Sequence, residues 1–200
     1  MKKAILLIFI LLFISSCKKN ENPVNSSDQV EIGAITEISG TISNWDSKSG
    51  YNIIRLYAAE GTMKIISSSN ISPDGSFFIS LSTFTMPTLQ TISSQGFPSG
   101  FSISNPSAKT SHICFIGLYA AQESATPYAD VSFRNDTYEY IYMYCDSDLS
   151  IKGDVTYEGV RYNYDFVLKP GWNKVRSTII NSGNTYREMN NKIIADGKWK

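Results

Sequence analysis

Thr137-Tyr138-Glu139-Tyr140-Ile141-Tyr142-Met143-Tyr144-Cys145 is the stretch on which the fold of this chain turns. Tyrosine recurs at every second position, and a β-strand sends alternate side chains to opposite faces, so one face collects all four rings. The other face carries Glu139, Ile141, Met143 and Cys145. Residues 161 to 168 repeat the device, with Tyr162, Tyr164, Phe166 and Leu168 opposed to Arg161, Asn163 and Asp165. Eight of the twelve tyrosines fall between residues 128 and 164, so the pattern is a concentration and not a scatter. Two uses compete for it. The rings can pack on an opposing sheet, each cross-strand aromatic pair adding about 0.2 to 1 kcal/mol. Alternatively, part of the face stays open and offers stacking platforms to sugar rings or to a partner protein. The Ile, Met and Cys side is the better core. That makes Tyr138, Tyr140, Tyr142, Tyr144, Tyr162 and Tyr164 the candidate binding surface.

Outward from this strand the chain reads as short strands separated by Gly, Asn, Asp and Pro, with no twelve-residue window showing a helical apolar stripe. Alternation predicts strands near residues 38–42, 51–58, 63–68, 76–81, 111–120, 138–145, 149–157, 161–168 and 172–180. Ser72-Pro73-Asp74-Gly75 is a turn: Pro presets φ, Asp bonds back to the backbone, and Gly accepts φ > 0. Gly159 and Lys169-Pro170-Gly171 mark further hairpins, with Trp172 anchoring the strand that follows. Residues 83–107 hold Pro87, Gly96, Pro98, Gly100 and Pro106 among Ser and Thr, and form a candidate seam. The tail from Thr185 is a short helix or strand closed by Trp199. This spacing predicts an all-β fold, an antiparallel β-sandwich of immunoglobulin-like or transthyretin-like type over residues 32–200.

The N-terminus reads differently. Lys2 and Lys3 precede an unbroken apolar run, Ala4 to Ile14, too short to span a hydrocarbon core of about 30 Å and therefore the h-region of a signal peptide. Ile14-Ser15-Ser16-Cys17 resembles the lipobox of bacterial lipoproteins. The resemblance implies cleavage by signal peptidase II after residue 16, diacylglycerol on the Cys17 thiol and acylation of its new amino group. Lys18 stands where Asp retains such proteins in the inner membrane, which implies outer-membrane attachment, facing the periplasm or the exterior. Residues 17–31, rich in Asn, Ser and Lys, are then a flexible tether reaching roughly 20 Å. Without the signal segment the chain carries 16 basic against 18 acidic residues. That balance argues against nucleic acid as a partner.

SGTISN and SPDGSFFISL, some thirty residues apart, resemble the opening of carboxypeptidase-regulatory-like or transthyretin-like β-sandwich modules, over residues 38–81. Members of that group serve as accessory, folding or sugar-binding modules, and the matched residues are structural. Leu168-Lys169-Pro170-Gly171-Trp172-Asn173 is similar to a turn recurring in uncharacterised bacterial lipoproteins, and implies no activity.

Groups able to carry chemistry are few. His112 is the only histidine, on an apolar stretch beside Cys114, and lacks the third orienting group of a nucleophile pair. Cys114 and Cys145 can oxidise to a disulfide outside the cytoplasm, or stand as two buried hydrophobes; the residues leave both open. Asp146-Ser147-Asp148 invites a calcium reading, but the sixth loop position is Ile151 where Gly is needed and the twelfth is Tyr157 where Glu is needed, so a polar hairpin turn is the better reading. No cofactor is implied. The expectation is a non-enzymatic, lipid-anchored envelope module binding carbohydrate or an envelope protein. Its alternative is an envelope hydrolase using Asp and Tyr residues, for which no carboxylate pair stands out in the spacing.

Overall fold

A computed structural model of the chain describes residues 30–46, 50–60, 62–95, 97–120, 127–179 and 185–200. The expected signal segment, Cys17 and the expected tether as far as residue 29 lie outside the described residues, as does Ile180 at the end of the last expected strand. The alternating stretches form strands because β-branched and aromatic side chains two apart fit a pleated, half-buried surface. In chain order these are β1 (Glu37–Thr41), β2 (Ile53–Glu60), β3 (Thr62–Asn70) and β4 (Ser76–Ser80), then the short β5 (Gln90–Thr91), β6 (Ser102–Ile103) and β7 (Lys109–Thr110). They continue as β8 (Cys114–Tyr119), β9 (Ala129–Val131), β10 (Phe133–Arg134), β11 (Tyr138–Cys145) and β12 (Leu149–Tyr157). The last are β13 (Val160–Leu168), β14 (Gly171–Thr178), β15 (Tyr186–Asn190) and β16 (Lys198–Trp199). The fold is all-β; among the described residues helical structure is confined to one 3-10 turn, Ile92–Ser94.

β1 and β4 pair with each other as a two-stranded sheet, and the other fourteen strands join in one sheet whose main path is β3-β2-β8-β11-β14-β15-β13-β12-β6. The named ladders are antiparallel except β13 with β15. The tyrosine-rich β11 is central. All eight of its residues face β14, from Tyr138 opposite Thr178 to Cys145 opposite Gly171, and its other edge meets β8 and β7.

The turns follow the sequence only in part. Glu158-Gly159 closes the β12–β13 hairpin, with Tyr157 opposite Val160 and φ of 49° and 79° at its two central residues, the mirror-image turn that matches strand twist. Two expected hairpins do not form. Asp146-Ser147-Asp148 joins β11 to β12, which do not pair. Lys169-Pro170-Gly171 joins β13 to β14, and β15 lies between those strands. Here a side chain replaces the missing ladder: Asn173 Oδ1 accepts the Lys169 N–H at 2.8 Å, and Asn173 Nδ2 donates to the Lys169 and Gly171 carbonyls at 2.7 and 2.9 Å.

Both faces of β11 are buried. Tyr140 and Tyr142 join an apolar cluster with Ile38, Phe77 and Ile79 of the small sheet and with Trp172 and Trp199. Ile141, Met143 and Cys145 join a second cluster with Leu149, Ile151, Phe166 and Leu168 of the β12–β13 hairpin. Of the two uses open to the tyrosine face, packing holds at its centre, where Tyr140 and Tyr142 are 8% and 3% exposed. The physical reason is a second layer: β1 and β4 cover the rings. Residues 83–107 contribute to both clusters, Phe84 to the first and Ile92, Phe97, Phe101 and Ile103 to the second. The fold also begins earlier than Ile32. Val30 bridges to Lys192, and the Glu31 N–H donates to the Asn191 carbonyl at 2.8 Å.

Candidate functional site

The six tyrosines singled out in the sequence do not form one surface. Tyr138 lies under the Arg176 guanidinium, 4.0 Å from its ring centre, and its hydroxyl donates to Glu188 at 3.2 Å. Arg176 is itself ion-paired to Glu188 at 2.7 Å, so this end of β11 is a buried polar cluster. Tyr144 is half-buried at the other end, edge-on to Trp172 and tilted against Phe84. Tyr164 stacks on Phe101 at 5.2 Å on the opposite face of the fold, with Tyr162 edge-on beside it. Tyr140 and Tyr142 line one concavity.

That concavity is a cleft of about 300 Å³ on the tyrosine side of β11. Its aromatic wall is built by three separate segments: Phe133 stacks on Tyr140 at 5.5 Å and 13°, and Trp199 stands edge-on to Phe133 at 5.7 Å. Trp199 is held from behind by Phe77 at 4.9 Å and passes over Gly40 so closely that a Cβ there would collide with its Nε1. Only glycine permits that approach. Tyr140 is fixed by its hydroxyl, which accepts the Ile194 N–H at 2.9 Å. Burial pushes the Tyr142 phenol up, so it stays a neutral wall residue.

Polar groups gather at the mouth. Glu31, on the N-terminal strap, pairs with Lys174 at 2.7 Å, and the Lys174 ammonium sits 4.7 Å above the Tyr140 ring. Glu37 and Ser39 of β1 complete the rim, and Glu37 has no side-chain partner among the described residues. Flat rings beside carboxylates and an ammonium can stack on an apolar ring face while hydrogen-bonding its substituents. Sequence spacing missed Glu31, Glu37, Phe133 and Lys174, because three distant stretches, residues 31–37, 133 and 174, supply them and no periodicity links those stretches. Tyr140 and Tyr142 are legible in the sequence as part of the tyrosine row, and Trp199 as the residue closing the tail.

A second cleft, of about 340 Å³, holds two carboxyl groups, Asp130 and Glu139, with Ser132 and Arg134. Burial raises the Glu139 carboxyl above the usual carboxylate range, against the lowering effects of the Ser132 hydroxyl and Arg134. Asp130 accepts the Tyr57 hydroxyl at 2.5 Å, and burial, then this bond, push the Tyr57 phenol up. Elsewhere Tyr51 and Tyr128 stack at 3.8 Å and 16°, with Tyr128 66% exposed, an aromatic surface pair that alternation does not reveal.

The remaining candidates are accounted for locally. Cys114 and Cys145 are thiols and form no disulfide with each other, because they fall in different apolar clusters on opposite faces of β11. Asp146 is held below the usual carboxylate range first by the Lys109 N–H and also by the Ser147 hydroxyl, while Asp148 pairs with Lys169 at 3.0 Å. Among the described residues no group of three or more His, Cys, Asp or Glu side chains is placed to hold a metal ion. No family model matches the chain, nor does any curated protein or solved structure.

Proposed function

We propose that this protein is a lipid-anchored module of the bacterial outer membrane that binds carbohydrate without transforming it. In this reading residues 1–16 are removed, Cys17 carries the acyl chains, residues 18–29 are tether, and a β-sandwich follows. Two or three acyl chains at about 0.8 kcal/mol per buried methylene hold the module at the membrane permanently. The observation that carries the binding assignment is the cleft of Phe133, Tyr140 and Trp199 rings rimmed by Glu31, Glu37 and Lys174. Rigid aromatic walls offer contact area at low entropy cost, and rim carboxylates accept hydroxyl hydrogen bonds. A pull-down of glycans and envelope fractions tests it. A polysaccharide fraction retained by the protein and released by its own oligosaccharides supports the reading, and retention of proteins alone overturns it.

A specific observation favours a second reading, hydrolysis at the other cleft. Glu139, raised by burial, has the character of a general acid, and Asp130 lines the same cleft as a second carboxyl group. New reducing ends formed from envelope glycans, and lost on Glu139→Gln, would place the activity there.

A further inference from the structure

Met143, Phe166 and Met189 floor a third cleft, of about 320 Å³, on the face of β11 opposite the carbohydrate cleft. Phe97, Phe115 and Tyr164 wall it, and the polar side chains at its edge are those of His112 and Gln95. The floor is continuous with the second apolar cluster, so the cavity opens into the core and not onto a flat surface. Two flexible thioethers and three aromatic rings form an adaptable apolar lining, and a few convergent polar groups at the mouth are the usual arrangement of a small-molecule site.

The polar groups specify the head of the ligand. Gln95 Nε2 is engaged, donating to Thr110 Oγ1 at 2.6 Å. Neither imidazole nitrogen of His112 is bonded within the described residues, which leaves a ring N–H free to donate. None of the lining residues is Asp or Glu, so nothing in the cleft repels an anion. Burial pushes the Tyr164 phenol up to about 12, so that wall stays uncharged at neutral pH. We infer that this cleft is a second ligand site, independent of the first, which takes a small apolar molecule ending in a carboxylate, the apolar part on Met143 and Met189 and the carboxylate on His112.

The test is titration of the purified protein with octanoate, and in parallel with octanol and octylammonium, followed by NMR. His112 is the only histidine, so its ring signals need no assignment, and the methyl signals of Met143 and Met189 report the floor. Saturable shifts of all three with octanoate are expected, with octanol binding about tenfold more weakly, the worth of one hydrogen bond to a charged group. His112→Leu should erase that preference while the Met methyl signals still respond to octanol. Absence of saturable shifts at Met143 and Met189 with every probe overturns the site. Equal affinities of wild-type protein for octanoate and octanol, or tighter binding of octylammonium, overturn the carboxylate assignment. Signals of Tyr140 and Trp199 stay unmoved in all arms, which separates this result from the fate of the carbohydrate cleft.

Discussion

Tyr142 shows what an alternating aromatic pattern can and cannot mean. Its ring is 3% exposed, in one apolar cluster with Trp172 and residues of the small sheet, so its first task is packing, though it also lines the cleft. Tyr142→Ala removes a buried aromatic ring and should cost about 3 to 5 kcal/mol in urea unfolding; a cost under 1 kcal/mol would mean the ring is not core. Glu139 behaves in the opposite sense to the surface carboxylates. Its folded-state carboxyl is raised, so the stability tied to its protonated form is present below the ordinary carboxylate pKa and is lost as pH rises through the folded value. Glu139→Gln should therefore raise the urea midpoint at pH 7 and leave it unchanged at pH 3.5. Asp154, lowered to about 2 chiefly by the Arg161 hydrogen bonds, and Asp146, lowered chiefly by Lys109, are stabilising above the ordinary carboxylate pKa. Their contribution falls away as pH drops through their folded values.

Strands were legible because alternation is a local property. The strands expected at 51–58, 76–81, 138–145, 149–157 and 161–168 form with ends shifted by at most two residues, and the Thr185–Lys200 tail supplies β15 and β16. Pairing was not legible, because period two gives a face and not the layer that covers it. Tyr140 and Ile141 point to opposite faces and both are buried, which a two-faced pattern of rings and aliphatics permits without announcing. The same gap hid the corners at Asp146–Asp148 and Lys169–Gly171, where turn residues join strands that do not pair. The hairpin expected at Gly159 forms with a mismatch: Glu158 sits at φ 49°, a left-handed position that an unbranched acidic chain occupies at a cost. Glu158→Asn restores the preferred Asn-Gly pair and should stabilise the protein by about 0.5 to 1 kcal/mol in urea unfolding. A loss of stability would show that Glu158 contributes something beyond the turn.

At the scale of the molecule, β11 divides two apolar clusters and two clefts of different character. One, on the tyrosine side, joins rings to carboxylates and an ammonium; the other, on the Met143 side, is apolar with a single imidazole. The proposed anchor lies upstream of both, and the strap at Val30 and Glu31 enters the fold at the rim of the tyrosine-side cleft. Cys17→Ser should abolish acyl labelling and shift the protein from the membrane to the soluble fraction, and unchanged membrane attachment would refute lipidation at that residue. The central claim is that the tyrosine-side cleft receives a sugar ring. Its most direct measurement is an NMR titration with oligosaccharides released from the retained envelope polysaccharide, following the Trp199 Nε1–H and the rings of Phe133 and Tyr140. Saturable shifts at these three residues, abolished in Phe133→Ala while the other core signals stay in place, are the predicted result. Shifts confined to the exposed Tyr51–Tyr128 pair, or a Phe133→Ala variant that binds as tightly as the native protein, would contradict it.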